Sequence, residues 1–158
     1  MKVIVSDSSP LIALLNIQQL DLLKLLFIEV IIPPTVANEI EEGEEENSVW
    51  FVYKESGFIN IQALPKPDKR QEILELQLDA GESEAIILAD QLKHPLLIDE
   101  RAGRKMAKTM GLDIIGLVGV LYALKQGQYI THKDGVEIVE SLERVHFRMS
   151  EDLKKLLL

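Results

Sequence analysis

Short apolar runs rich in β-branched residues alternate along this chain with longer segments in which leucine, isoleucine and alanine recur at helical spacing. Val3, Ile4 and Val5 form the first run and read as a buried strand. Ser8-Ser9-Pro10 then opens an apolar stretch as a helix start, with proline at the first position. Helical leucine patterns follow through Leu11–Leu15 and Leu20–Phe27. "EVII" reads as a second strand, closed by Pro33-Pro34, and Thr35 can cap the next helix, "VANEIEE", which Gly43 stops. Between Val49 and Pro67 aromatics mix with Gly and Pro, and the stretch reads as extended and irregular. A helix is predicted over Arg70–Leu78, and a stronger one over "DAGESEAIILADQLK", where Asp79 and Glu82 have the spacing of a capping box. Strand "PLLI", helix "RAGRKMAKTMG", strand "LDIIG", helix "LVGVLYALKQG" and a helical tail over 131–158 complete the pattern. Strands alternating with helices imply an α/β fold, a parallel sheet covered by helices on both faces.

Composition narrows the class. At 158 residues, 47% hydrophobic and 27% charged, the chain fits one domain spanning 1–158, long enough to bury a continuous core. The absence of cysteine excludes disulfides and thiolate metal sites, so any metal must use oxygen or imidazole, and a reducing cytosol is compatible. Leu11 to Ile32 is leucine-rich, but Asn16, Gln18, Gln19, Asp21, Lys24 and Glu29 interrupt it too often for a spanning helix. A signal peptide's basic region followed by an apolar one is also lacking. The expectation is a soluble, unexported, cytoplasmic protein with no membrane partner. A net charge of −9 argues against non-specific attraction to nucleic acid. Much of that acidity is local, because Glu39, Glu41, Glu42, Glu44, Glu45 and Glu46 crowd one segment, and Glu44 to Glu46 read as a solvated face or loop.

Asp7 ends the first strand at its junction with a helix, and Asp99, followed by Glu100, repeats that arrangement after "PLLI". In a parallel sheet such junctions lie at the carboxyl ends of the strands, where ligands bind. Either aspartate alone is an ordinary turn or helix cap. Together, if their strands are neighbours, they hold like charges in one place and call for a cation or raised pKa values. Glu82 already has a structural job as partner to Asp79, whereas Glu84 flanks the face made by Ala85, Leu88, Ala89 and Leu92. Glu39 and Glu41 occupy opposite flanks of Val36 and Ile40, and helical geometry alone does not choose between them.

"VIVSDSSPLIALLNI", "EVIIPPTVANEI", "GESEAIILA" and "LLIDERAGRKMAKTMGLDIIGLVGVL" together resemble the PIN-domain family, metal-dependent nucleases that include the toxins of VapBC-type toxin–antitoxin pairs. The likeness runs from Met1 to Ile130 in the right order, leaving 131–158 as a helical tail. It implies a three-layer α/β/α fold with a central, mostly parallel sheet. Carried over residue by residue, it implies Asp7, Glu39, Glu84 and Asp99 as the catalytic, metal-holding acids. The family often shows Asp at the third place and Thr-x-Asp near the fourth; here stand Glu84 and "IDER", so Glu82 and Glu100 stay in play. The resemblance further implies cleavage of RNA leaving a 5′-phosphate, an antitoxin protein as partner, and a homodimer.

Hard oxygen ligands without clustered histidine select Mg²⁺ or Mn²⁺, which keep several waters and bind phosphate oxygens. Such ions lower the pKa of a bound water and neutralise charge on a transferring phosphoryl group, so no side-chain nucleophile is needed. Ser8 and Ser9 have no histidine near them in sequence, His94, His132 and His146 being scattered, and they read as cap residues that could also bond a metal-bound water. A receiver-type domain expects adjacent acids after its first strand, and a haloacid-dehalogenase-type phosphatase expects Asp-x-Asp; Ser8 and Ser9 follow Asp7 here. A non-catalytic module using its acidic surface for a protein partner is the remaining alternative. After Asp99, Arg101, Arg104, Lys105 and Lys108 form a single basic stripe on one helix, placed to bind RNA phosphates beyond the acids. "LLNIQQLDLLKLLF" carries more leucine than one helical face needs, which suits a dimer interface as well as a core.

Overall fold

β1 (Lys2–Ser6), β2 (Phe27–Ile32), β3 (Ile59–Ile61), β4 (Leu96–Leu97) and β5 (Ile114–Ile115) form one sheet in the order β3-β2-β1-β4-β5, every neighbouring pair parallel. The structure is a computed structural model describing residues 2–45 and 48–158, so Glu46 of the glutamate run lies outside the described residues. Ile4 and Val5 of β1 and Val30, Ile31 and Ile32 of β2 are buried, the uninterrupted apolar character expected where helices cover both faces. From β1 the chain moves outward to β2 and β3, then returns across β1 to place β4 and β5 on the other side. The order therefore reverses at β1 and β4, and the crevice beyond their carboxyl ends is where such sheets bind ligands.

The helices are α1 (Ser8–Asn16), α2 (Pro34–Glu41), α3 (Val49–Glu55), α4 (Arg70–Leu74), α5 (Ala80–Leu92), α6 (Arg101–Thr109), α7 (Leu117–Gln126), α8 (His132–Arg144) and α9 (Glu151–Leu157). α5 is buried along its length from Gly81 to Ala89 and packs on β1, α2, α4 and α6. The core is a single cluster running from Ile4 to Leu157. Among the described residues no helix is long and apolar enough to cross a membrane.

Several elements differ from the sequence pattern. Leu20–Leu25 is a 3₁₀ helix, and Phe27 starts β2 by pairing with Lys2. Pro33, extended at ψ 161, is the N-cap of α2, and Thr35 turns its hydroxyl to Glu84 instead of capping. The Val49–Pro67 stretch holds α3 and β3: Trp50 and Tyr53, three apart, bury one helical face where the aromatic content suggested an extended chain. α4 stops at Leu74. Of the surplus leucines, Leu14, Leu15, Leu20, Leu22 and Leu23 fill this chain's own core, while Ile17, Leu25 and Leu26 are half-buried at its edge.

α9 closes the far end. Leu157 is 1% exposed and its carbonyl accepts from Lys125 Nζ at 3.0 Å, tying the C-terminus to α7. Leu157→Ala should lower stability by about 2 kcal/mol or more. Urea titration reads the loss, and hydrogen exchange should show 151–157 opening before the sheet.

Candidate functional site

Asp7 follows β1 directly, and its N–H donates to the Leu97 carbonyl at 3.0 Å, so β4 holds its backbone. The side chain is 2% exposed and its Oδ1 is buried without a hydrogen-bond partner. Ser8 begins α1 and donates its hydroxyl to Glu39 Oε2 at 2.8 Å, aiming a carboxylate on α2 toward the end of β1. The serine is thus an orienting residue, not a cap, because α1 starts at Ser8 itself. A Cβ built on Gly81 in α5 would stand 2.0 Å from Glu39 Oε1, so the Glu39 carboxylate occupies the space of the missing side chain. Glu41, the opposite flank, accepts from Trp50 Nε1 at 3.2 Å and pairs with Lys54. Those partners separate the two flanking glutamates that periodicity left tied.

Glu82 is 8% exposed, and its N–H donates to Asp79 Oδ1 at 2.8 Å, giving the predicted cap of α5. Its Oε2 lies 3.8 Å from a Cβ placed on Gly103, so the side chain reaches the first turn of α6 below Glu100. Burial pushes the Asp7 carboxyl up to about 7, with Glu82, Asp79 and Glu39 repelling it further against the opposing backbone hydrogen bond at Ser8. Glu82 is pushed up to about 7 first by burial, then by Asp79, Glu100 and Glu39. Burial also raises Glu39, opposed by the Ser8 hydroxyl, with Asp79, Glu42 and Glu84 adding repulsion. Asp7, Glu39 and Glu82 are thus all raised at the carboxyl edge, each with Asp79 among the charges repelling it and Glu82 with Glu100 as well. Among the described residues none of them makes an ion pair with a lysine or arginine.

Glu84 and Asp99 lie to either side of this group. Glu84, 9% exposed, accepts from the Thr35 hydroxyl and reaches the cluster through its repulsion of Glu39. Asp99 Oδ1 accepts from the Leu117 N–H at 2.9 Å at the start of α7, and Oδ2 is left without a partner. Burial raises Asp99, while Leu117 N–H and Arg104 oppose that rise. A Cβ on Gly116 would lie 2.7 Å from Asp99 Oδ1 and 2.9 Å from Arg104 Nη1, so this glycine keeps the corner open. The structure therefore draws Glu82 toward Asp7 and Glu39, leaves Glu100 beside Glu82, and gives Glu84 and Asp99 hydrogen-bonded posts at the flanks. Of the basic stripe, Arg101, Lys105 and Lys108 are exposed, while Arg104 donates Nη1 to the Ile98 carbonyl.

A buried, unpartnered aspartate oxygen amid like charges, with no cation to offset them, matches the demand of a hard divalent ion. Among the described residues no three acidic or imidazole side chains stand close enough to clamp a metal as placed. The fit to a divalent ion therefore rests on the donor chemistry, carboxylate oxygens of the kind Mg²⁺ and Mn²⁺ prefer.

The raised carboxyls give the metal-free protein a defined pH response. Folded Asp7 and Glu82 hold protons up to about 7, whereas unfolded they ionise in the ordinary carboxylate range. Their contribution to stability is complete below that range and lost as pH climbs through about 7. In EDTA the melting temperature should fall between about pH 5 and pH 8, and the fall should shrink in Asp7→Asn. An identical profile in the variant would remove Asp7 as its source.

Comparison with known proteins fits this geometry. The profile of the DUF3368 family, described as a PIN domain, matches residues 3–158. Among solved structures the chain is similar to a PilT N-terminus domain protein, SSO1118, from the hyperthermophilic archaeon Sulfolobus solfataricus P2. The TM-score is 0.52 at 21% identity, over 78% of this chain and 92% of that one. No curated protein matches. With the family profile covering nearly every residue and the same fold in a solved structure, the chain belongs to the PIN-domain family.

Proposed function

We propose that this chain is a divalent-metal-dependent endoribonuclease. PIN domains are commonly nucleases and typically use divalent metals. The observation that supports the reading best is the buried Asp7 Oδ1, unpartnered beside Glu39 and Glu82 at the switch of the sheet. Asp7, Glu39 and Glu82 would hold Mg²⁺ or Mn²⁺, with Glu100 at the solvent side and Glu84 and Asp99 as supports or further ligands. When bound, such an ion supplies an activated water and offsets charge on the transferring phosphoryl group. Ser8 fixes the Glu39 carboxylate, and Thr35 fixes Glu84, so neither rotates away when charge develops. Arg101, Arg104, Lys105 and Lys108 on α6 hold phosphates next to the scissile one, and Arg104 is additionally anchored on the Ile98 carbonyl. The family resemblance extends the proposal to a toxin role, an antitoxin partner, a homodimer and a cytoplasmic setting.

Titration with Mn²⁺, followed by cleavage of single-stranded RNA, tests the reading; a protein without a carboxylate-dependent cation site would instead be a binding module. Asp7→Asn and Glu82→Gln should each cut cleavage by more than about 100-fold, beyond what loss of an outer partner costs. Glu84→Gln and Asp99→Asn should fall within about 10- to 100-fold. Equal loss in all four variants would mean that the flanking acids are ligands as well.

Gly81→Ala separates site from scaffold. The new methyl must displace the Glu39 carboxylate, whose Oε1 lies 2.0 Å from the Cβ position. Calorimetry should show Mn²⁺ affinity weakened about tenfold, while the thermal melt holds or gains up to about 1 kcal/mol from the better helix former.

A further inference from the structure

The C-terminal segment between α8 and α9 brings Arg148 opposite the basic face of α6. Gly103 and Ala107 bury the inner side of α6, leaving Arg101, Lys105 and Lys108 outward. Arg101, Arg104, Lys105, Lys108 and Arg148 line one groove. Among the described residues none of these five cations lies within 4.0 Å of a carboxylate. Elsewhere Lys54, Arg70 and Lys154 are paired with acids. In a chain with 26 acids and 17 bases, five convergent cations outside any close ion pair, with Arg104 also attracting Asp99, form a surface matched to an external anion. Asp99, the lone carboxylate lining the groove, is already bonded to the Leu117 N–H.

The groove does not end at its charges. Past Asp99, Arg104 and Arg148 it continues into an apolar cavity lined by Tyr122, Phe147 and Leu156. Tyr122 and Leu156 are 39% and 48% exposed. Cations beside aromatic and aliphatic surface suit a polymer that carries repeated anionic groups and flat apolar faces. A paired A-form helix offers the phosphates but keeps its bases stacked inside. Building on the nuclease reading, we infer that the segment 147–156 is the outer wall of a single-stranded RNA track. In it Arg148 binds a phosphate across from α6, and Tyr122 with Phe147 receives a base. Arg101, where the groove starts, directly follows Glu100, so a strand leaving the acidic edge enters the track.

Anisotropy of a labelled oligouridylate of about twelve nucleotides, titrated in EDTA at several KCl concentrations, reads the track apart from catalysis. Arg148→Gln should raise the Kd about three- to tenfold and reduce the log–log salt slope by about 0.7, one phosphate contact on a single strand. Arg148→Lys should restore the slope. Tyr122→Ala should weaken binding about fivefold or more with the slope unchanged. Lys133→Gln, an exposed cation on α8 outside the groove, should alter neither quantity. An unaltered slope in Arg148→Gln, or an equal drop in Lys133→Gln, overturns the inference. So does polyglutamate that displaces the oligonucleotide at equal concentration of charge, which would assign the groove to an acidic protein segment. The nuclease reading fails on a different result, the absence of Mn²⁺-dependent hydrolysis of RNA and of bis(p-nitrophenyl) phosphate by the wild type.

Discussion

β1 is hydrogen-bonded on both sides, to β2 and to β4, and the Asp7 N–H extends the second pairing by one residue onto the Leu97 carbonyl. That bond fixes where the chain stops being sheet and where the first carboxylate must sit. Had Asp7 followed an edge strand, its charge would face water and keep ordinary acidity. Placed after the central strand, with α1, α2 and α5 around it, the carboxylate is desolvated before any other acid acts on it. The remaining acids approach a position already fixed.

Carboxylates gathered this way cost folding free energy, and the fold contains the cost by attaching each one to a separate element. Asp7 caps α1 at the end of β1, Glu39 belongs to α2, Glu82 to α5, and Glu100 to the cap of α6. Single hydrogen bonds hold them: Ser8 on Glu39, Thr35 on Glu84, Leu117 on Asp99. None of these donors neutralises the charge it touches, so direction is set while negative potential stays available to an incoming cation. Glycines at 81 and 116 complete the arrangement by leaving room where helices meet acids, and Gly103 makes room for Ile98 beside Glu82.

The sheet was legible because its strands are short β-branched runs bounded by Pro, Gly and Asp, and Asp7 and Asp99 could be found at the ends of two of them. The choice between Glu82 and Glu84 was not legible. α5 is buried on all sides from residue 81 to 89, so it has no polar face against which a carboxylate can stand out. Both glutamates are nearly covered, and only the neighbours of each, Asp79 and Gly103 for one and Thr35 for the other, tell them apart. Asp99 and Glu100 were ambiguous for a related reason: β4 ends at Leu97, and the alternation of a strand cannot be carried past its last pair. α3 was missed because Trp50, Phe51 and Tyr53 have strand propensity, which burial of Trp50 and Tyr53 on one helical side overrides.

The end of α8 bears on how such a molecule can change over generations. His146 turns through the left-handed region at φ 63, its N–H donating to Glu143 while the Phe147 N–H donates to Leu142, a Schellman closure made without glycine. This one residue directs the chain from α8 toward Arg148 and α9. Beyond it Arg148, Ser150 and Glu151 stand exposed before Leu157 returns the chain to the core against α7. The exposed positions of this short segment can then be exchanged, and with them what the domain grips, while Leu157 and the centre beneath β1 hold their places.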